Sequence, residues 1–344
     1  MRFLITKFEK EHKLYTVHFW EPENPLSDSF WSAGVEFNHD YPVSDYPSAF
    51  ITHDDYLFVG LSSSRIDVVN LENKEIEHRL GPRWTEEDYQ RSGRNQAEYE
   101  HRKTFRIRGF AVFQDTIFDA CGAGLYETLS GNLIDNRFIN TVEVINDKLC
   151  MVPYGENARK QEKNHESEKH IGDLVNAHTK EVLVTGVEPF DGSGFAPGKH
   201  FTHRDKIYIH HGDYPGERIT IKTIEGKTKD IVPVWSSDGF VAHQGVVYDI
   251  RWIGNKEDEK GSYMEKAIFR SDCSLIYESE ADKGLFYKLP REFENRITGI
   301  VSGGNQGLLM SVYNSTQDQS IVVSHLDIKE PLFKSKGKLR LSRI

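Results

Sequence analysis

The chain has 344 residues, with 43 lysines and arginines against 53 aspartates and glutamates, which gives a formal net charge of −10. No stretch approaches the roughly 18–20 consecutive apolar residues that span a bilayer, and the acidic balance opposes the positive field that nucleic-acid binding needs. The 3 cysteines, an odd number, form no disulfide framework. The sequence therefore predicts a cytoplasmic globular protein that binds no nucleic acid, membrane, metal or cofactor.

A short pattern recurs along the chain: an alternating strand, a tight polar turn and a second, more apolar strand. In the first copy, Asp54 and Asp55 form the turn. Alternation with a period of two predicts half-buried strands, and Asp, Asn and Gly supply the positive φ that tight hairpins need. The copies lie at 49–60, 109–120, 142–152, 201–210, 239–249 and 297–311.

A second hairpin follows these copies, for example 65–71 paired with 75–80. Each repeating unit is therefore predicted to be a sheet of four short antiparallel strands. Four-stranded units that recur about every 40–50 residues are typical of a β-propeller. The chain resembles β-propeller repeat proteins in general, and no single propeller family is matched.

The two chain ends add further predicted strands, a hairpin within 2–20 and one strand over 338–342. In propellers the two ends often share a blade. The resemblance thus implies one all-β domain over 1–344 with seven four-stranded blades, closed by 1–20 with 338–344. Six blades with an N-terminal extension is the alternative.

Long insertions fall where propeller geometry places the loops of one face. The insertion 81–104 contains Thr85 followed by acidic residues, an N-cap and first turn that predict a helix. Residues 155–172 contain almost no hydrophobic side chain and are predicted to be a mobile loop. The remaining insertions are 185–198, 254–263 and 281–295. Because elaborated loops on a rigid scaffold usually carry function, we expect a partner to bind this face.

Two carboxylates interrupt an apolar register. Asp119 and Asp249 stand four positions after the first turn of their units, where other units have Val59 or Met151. Asp is disfavoured inside strands and costly to bury unpaired. Each carboxylate therefore either bonds within the protein or acts as an acid or base at a site, and His211 is the third candidate catalytic residue.

A second register lies seven positions before the same turn, at the start of the innermost strand, where it should ring the channel entrance. Its charged members are Arg108 and Asp238. Arg251 and Trp252 follow Asp249 and would add a cation and a stacking surface. Arginine binds anionic groups bidentately, so these four are the candidate ligand-binding residues, although each charge could equally form an ion pair inside the protein.

Two classes of function remain open, because familiar catalytic motifs such as Gly-x-Ser-x-Gly and His-Glu-x-x-His do not occur. The favoured one is a non-catalytic propeller scaffold that recruits a protein or peptide partner on its loop-rich face. The alternative is a propeller enzyme, a lyase or hydrolase, acting on a small polar or sugar-like ligand at the channel mouth. The enzyme requires Asp249 and His211 to lie within about 6 Å of each other with a shifted pKa.

Overall fold

The repeating pattern folds as seven sheets of four strands each, with one additional two-stranded hairpin. The computed structural model describes residues 2–22, 24–34, 37–38, 41–42, 45–83, 106–153, 170–189, 200–211, 218–234, 237–259, 261–273, 284–293 and 296–343. Within these ranges the helical segments are two 3-10 turns, Arg291–Phe293 and Gly304–Gln306. The prediction of an all-β propeller with seven blades is confirmed, and each four-stranded sheet is called a blade below.

The chain folds as two compact units, called here the N-terminal and the C-terminal unit. The N-terminal unit comprises Phe8–His18 and Asp28–Gly186 and contains blades 1 to 3 except for the last three residues of β17. Their strands are β6 (Pro47–His53), β7 (Tyr56–Leu61), β8 (Ile66–Asn70) and β9 (Ile76–Leu80) in blade 1, β10 (Gly109–Phe113), β11 (Thr116–Cys121), β12 (Gly124–Glu127) and β13 (Leu133–Asp135) in blade 2, and β14 (Ile139–Ile145), β15 (Lys148–Pro153), β16 (His170–Asn176) and β17 (Val182–Pro189) in blade 3.

The C-terminal unit comprises Met1–Lys7, Phe19–Ser27 and Val187–Arg343 and contains blades 4 to 6. Their strands are β18 (His200–His203), β19 (Lys206–His211), β20 (Arg218–Thr223) and β21 (Thr228–Pro233) in blade 4, β22 (Ser237–His243), β23 (Val246–Asp258), β24 (Gly261–Arg270) and β25 (Leu285–Lys288) in blade 5, and β26 (Ile297–Ser302), β27 (Leu308–Asn314), β28 (Gln319–Ser324) and β29 (Phe333–Lys336) in blade 6.

The remaining blade, called the terminal blade, contains strands from both ends of the chain. Across the sheet its strands are β30 (Lys338–Arg343), β1 (Phe3–Glu9), β2 (Leu14–Trp20) and β3 (Trp31–Gly34). The separate hairpin pairs β4 (Phe37–Asn38) with β5 (Tyr41–Pro42). In β30, buried Leu339 and Leu341 alternate with exposed Lys338 and Arg340, since successive side chains of a strand point to opposite faces.

Tight turns join the first two strands of the blades, as the sequence predicts. Gln114 and Asp115 have φ values of 47° and 61°, and Asn146 and Asp147 have 47° and 54°. Two consecutive residues with positive φ match the type I′ turn, whose twist suits a hairpin. Blade 6 differs because its turn contains the 3-10 helix Gly304–Gln306 and is longer.

Side chains from neighbouring blades share the buried cores. Leu125 of blade 2 packs in one cluster with Met151 of blade 3, and Ile268 of blade 5 packs with Met310 of blade 6. Burying a side chain of this size contributes about 1.5–3 kcal/mol. The first strands of successive blades lie side by side, as β22 does with β26 and β26 with β30.

The predicted insertions have mixed outcomes. The helix predicted over 81–104 and the mobile loop predicted over 155–172 fall mostly on 84–105 and 154–169, which lie outside the described residues, and the described ones form no α-helix. The insertion 254–263, expected to be a loop, is instead the end of a long hairpin, because β23 and β24 continue their pairing almost to its tip. The boundaries of a single domain over 1–344 stay a prediction. In the described part of the chain no helix has the length and apolar character needed to cross a membrane.

Candidate functional site

Asp119, on β11, is fully buried and paired with Arg83. The Arg83 guanidinium donates from Nε to Oδ2 at 3.2 Å and from Nη2 to Oδ1 at 3.0 Å, and it also donates to the Thr128 carbonyl at 2.5 Å. Burial raises the pKa of Asp119, and the charge of Arg83 opposes that rise. This carboxylate is held by an internal ion pair.

Asp249, on β23, is also fully buried and pairs with Arg251 on the same strand. Arg251 Nε donates to Oδ2 at 2.7 Å and Nη2 donates to Oδ1 at 3.0 Å, while Ser271 Oγ donates to Oδ1 at 2.8 Å. Arg251 further donates to the carbonyls of Cys273 and Arg270. Two of the predicted site residues, Asp249 and Arg251, therefore lie together and bond to each other.

The other predicted residues are distributed over several blades. The Arg108 guanidinium lies 4.5 Å from the centre of the Phe138 ring, and Trp252 Nε1 donates to the Gly254 carbonyl at 2.8 Å. His211 is the last residue of β19, and Asp238 lies on β22. Because the side chains of these last two lie outside the described structure, the predicted proximity of His211 to Asp249 is not tested.

The cysteines are not activated thiols. Burial raises the pKa of Cys121 to about 12 and that of Cys150 to about 11, and burial also raises the pKa of Cys273. The thiolate is the nucleophilic form, so all three are poor nucleophiles near neutral pH. Among the described residues, no group of three or more His, Cys, Asp or Glu side chains could hold a metal ion.

In four of the blades, the register at the start of the first strand coincides with a β-bulge. The pairing shifts by one residue at Ser48 in blade 1, at Asn140 in blade 3 and at Thr298 in blade 6, and it also shifts between Ser237 and Phe240 in blade 5. A bulge redirects a side chain and bends the strand. In these four blades, the position that the sequence marks as part of a ring is therefore a place where the first strand is locally distorted.

The bulged hydroxyl groups connect consecutive blades. Ser48 Oγ donates to the carbonyl of Ile107, just before β10, at 2.7 Å. Thr298 Oγ1 donates in the same way to the carbonyl of Leu339 on β30 at 2.6 Å. Since Arg108 follows Ile107 and Arg340 follows Leu339, Arg340 occupies in the terminal blade the position that Arg108 occupies in blade 2.

Thr298 and Arg340 are members of this register that the sequence analysis missed. The longer turn in blade 6 changes the count of seven positions. In the terminal blade the first two strands, β30 and β1, are not consecutive in the sequence, so the recurring strand–turn–strand pattern does not occur there. One signal was present, a glycine directly after the register residue in Arg108-Gly109, Asp238-Gly239 and Thr298-Gly299. At Gly299 a Cβ would lie 2.6 Å from the Leu341 carbonyl, so glycine allows β26 and β30 to approach closely.

The end of the β23–β24 hairpin, residues 254–265, is called the hairpin arm. It begins where the pairing shifts between Trp252 and Gly254. Arg291 contacts three residues of the arm. Its guanidinium donates to the Asp258 carboxylate and, at 3.2 Å, to the Gly261 carbonyl. It also lies 4.8 Å from the centre of the Tyr263 ring. The arm is thereby attached to the 3-10 helix that ends in buried Phe293.

A cavity of about 730 Å³ lies at the foot of the hairpin arm, bordered by β22, β26 and β30 and called here the arm pocket. This volume is in the range of ligand sites. Its apolar lining consists of Phe240, Ile250, Phe293, Ile297, Ile300, Val301 and Leu341, and Thr298 and Ser342 add hydroxyl groups. Its charged lining consists of Lys266 and Arg340.

Strand alternation explains why Asp249 and Arg251 do not line the arm pocket. Ile250 borders the pocket, whereas its neighbours Asp249 and Arg251 are buried and bond to each other, as expected for side chains on the opposite face of β23. Gly239, which follows Asp238, also borders the pocket, and a Cβ there would meet nothing within 4 Å. Of the five predicted site residues whose side chains the structure describes, none is among the residues that line this cavity.

Comparison with known proteins adds the fold and no more. No protein-family model matches this sequence, and no curated protein matches it. Similar solved structures include the computationally designed Ika8 protein, with a TM-score of 0.50 and 10% identity over 97% of this chain and 86% of that chain. They also include BamB from Moraxella catarrhalis (TM-score 0.47, 10% identity, 97% of this chain and 87% of that chain) and the β-propeller domain of Cps50 (Swd1) from Myceliophteria thermophila (TM-score 0.46, 11% identity, 86% and 88%). At 10–11% identity, these structures are similar to this chain in fold alone.

Proposed function

We propose that this protein is a non-catalytic propeller scaffold that recruits a protein or peptide partner, and that the arm pocket receives a segment of that partner. The observation that carries the proposal is the composition of the pocket lining. Seven apolar residues, two cations, two hydroxyl residues and two glycines surround about 730 Å³, and no acid, histidine or cysteine is among the described residues of the lining. Such a surface can bind and orient a ligand, but it offers no pair of groups for acid–base chemistry.

The burial of the candidate catalytic carboxylates also supports binding over catalysis. Asp119 and Asp249 each accept two hydrogen bonds from an arginine and are 0% exposed. A general base must reach the proton that it abstracts within hydrogen-bond distance. Carboxylates enclosed in this way favour the scaffold over a lyase or hydrolase that would use them.

The rigidity of the pocket walls is a further support. The hydrogen bond from Thr298 to Leu339 fixes the position of β30 against β26, and Arg291 fastens the hairpin arm to the helix that carries Phe293. A pre-organised surface binds more tightly because less conformational entropy is lost on association.

A peptide selection tests the proposal. The full chain would be immobilised and a random peptide library selected against it, and recovered peptides would then be measured against two variants. Ser342→Trp, at a half-buried position that lines the pocket, should abolish their binding. Ser335→Trp, on the outer strand of blade 6, should leave it unchanged. Recovery of no peptide, or equal binding to wild type and Ser342→Trp, would contradict the proposal.

A further inference from the structure

The charge of the arm pocket differs in sign from the charge of the whole protein. The chain carries a formal net charge of −10, yet the charged side chains that line the pocket are Lys266 and Arg340. A local cluster of one sign attracts ligands of the other sign, and walls of low dielectric strengthen that attraction. The pocket is therefore a cationic spot on an acidic molecule.

The cationic side chain of Arg340 stands on a firmly held strand. Leu339 and Leu341, on either side of it, are 0% and 2% exposed and pack with Phe3 and Trp20 in one core cluster. The carbonyl of Leu339 accepts the Thr298 hydrogen bond, and the carbonyl of Leu341 faces Gly299 at close range. The backbone that carries Arg340 is thus fixed by packing and hydrogen bonds, and sites built on rigid strands are more precise than sites on loops.

The apolar part of the lining requires a second feature in the ligand. Phe240, Phe293 and Ile300 line the same cavity as Arg340 and Lys266. A small inorganic anion would leave these side chains uncovered, whereas a chain that places an apolar side chain next to a carboxylate would satisfy both parts. Arginine and carboxylate pair through two parallel hydrogen bonds, so an Asp or Glu side chain suits Arg340.

We propose that the arm pocket binds an acidic peptide segment in which a Leu or Phe side chain enters the apolar lining and a neighbouring Asp or Glu pairs with Arg340 and Lys266. This inference rests on the proposed function and specifies the chemistry of the partner. Charge complementarity is what selects this occupant over a neutral or basic peptide.

Fluorescence anisotropy with the full chain tests the proposal. The probes are two short labelled peptides, one alternating Leu and Phe with Asp and Glu, and the other with Asn and Gln at the same positions. The acidic peptide should bind on the order of tenfold more tightly than the neutral one. Raising the ionic strength from about 0.1 to about 0.5 M should remove most of that difference, because salt screens charges.

Matched variants locate the interaction. Arg340→Gln changes an exposed side chain and should weaken the acidic peptide on the order of fivefold to tenfold while leaving the neutral one unchanged. Lys334→Gln removes an exposed cation from the outer strand β29 and should change neither. Similar thermal unfolding of both variants would show that folding is intact.

Three outcomes would overturn the inference. These are equal affinity for the two peptides, an unchanged affinity in Arg340→Gln, and displacement of the acidic peptide by inorganic phosphate at concentrations near its own, which would assign the site to small anions. If the library selection recovers pocket-dependent peptides without acidic residues, this inference fails and the scaffold function stands. If no peptide depends on the pocket, both fail.

Discussion

The two buried carboxylates occupy the same register in their blades but are neutralised in different ways. Asp249 in the C-terminal unit pairs with Arg251, two residues further along the same strand. Asp119 in the N-terminal unit pairs with Arg83, which follows β9 of blade 1 and is 36 residues away in sequence. The side chain of Arg251 is 1% exposed, and that of Arg83 is 8% exposed.

This difference shows that one sequence position can serve two structural tasks. The Asp249–Arg251 pair stabilises blade 5 internally, since Arg251 also bonds to the carbonyls of Arg270 and Cys273 within that blade. The Asp119–Arg83 pair attaches the segment after blade 1 to blade 2, where Tyr126 also donates to the Arg83 carbonyl. An aspartate in an apolar register is therefore a sign of an internal partner before it is a sign of catalysis.

The largest effect is expected for Arg251→Met, because it leaves the Asp249 charge buried without its partner. Loss of one member of a buried ion pair costs about 3–5 kcal/mol. Urea unfolding monitored by tryptophan fluorescence would measure the change in the free energy of unfolding. Asp249→Leu combined with Arg251→Met should recover much of the loss, since a well-packed apolar pair often replaces a buried ion pair without cost.

Arg270→Met provides the matched control for this comparison. Arg270 lies on the neighbouring strand and pairs with Asp272, but its side chain is 48% exposed. Exposed ion pairs contribute about 0–1 kcal/mol. An equal loss of stability in Arg251→Met and Arg270→Met would show that the buried pair stabilises the protein no more than an exposed pair does.

A smaller and more local effect is expected for Arg83→Met. Water can reach part of Arg83, so we expect a loss on the order of 2–3 kcal/mol, below the full cost of breaking a buried pair. Because the pair attaches a connecting segment, hydrogen exchange should increase most at 81–83 and 116–128. Arg79→Met is the control, because it breaks an exposed ion pair instead. The Arg79 side chain is 74% exposed, and its Nε lies 3.7 Å from Asp67 Oδ1. Uniform acceleration over the whole chain would contradict a local role.

The sequence predicts one of these two pairs better than the other. Side chains two residues apart lie on the same face of a strand, so an arginine two positions after Asp249 is a foreseeable partner. Arg83 is not foreseeable, because no periodicity links an irregular segment to a strand in the next blade. The blades themselves follow from alternation and turn residues, which are local signals that survive in each repeat.

The arm pocket could not be predicted, because no local signal brings its residues together. Ile250 and Lys266 belong to blade 5, Ile300 belongs to blade 6, and Arg340 lies on the C-terminal strand of the terminal blade. Only the register at the start of the first strands pointed toward this region, through Asp238. Thr298 was not recognised in the sequence because the turn of blade 6 contains extra residues. Arg340 was not recognised because the first two strands of the terminal blade are not consecutive in the sequence.

Two histidines of the C-terminal unit lie close together. In the C-terminal unit, His243 Nδ1 lies 2.9 Å from Ser302 Oγ, and His325 Nδ1 accepts a hydrogen bond from the Leu308 amide at 2.8 Å. The centres of the His243 and His325 rings are 6.3 Å apart. Burial lowers the pKa of both histidines, and the neighbouring His243 charge lowers that of His325 further.

The smallest expected effect is therefore a pH dependence that begins in the C-terminal unit. The pKa of these histidines is about 6.5 in the unfolded chain and lower in the folded protein. At a pH between these two values the unfolded chain binds more protons than the folded protein does. The stability contributed by the histidines is therefore lost as the pH falls below about 6.5. His325→Asn keeps an acceptor for the Leu308 amide and removes the titration. When the pH is lowered from about 7.5 to about 5.5, the melting temperature of His325→Asn should fall by about 2–4 °C less than that of wild type.

His78→Asn, at an exposed position of the N-terminal unit, is the control, and its melting temperature should fall as much as that of wild type. Hydrogen exchange at pH 5.5 that rises first in blades 1 to 3 would assign the acid sensitivity to the other unit and refute the role of these two histidines.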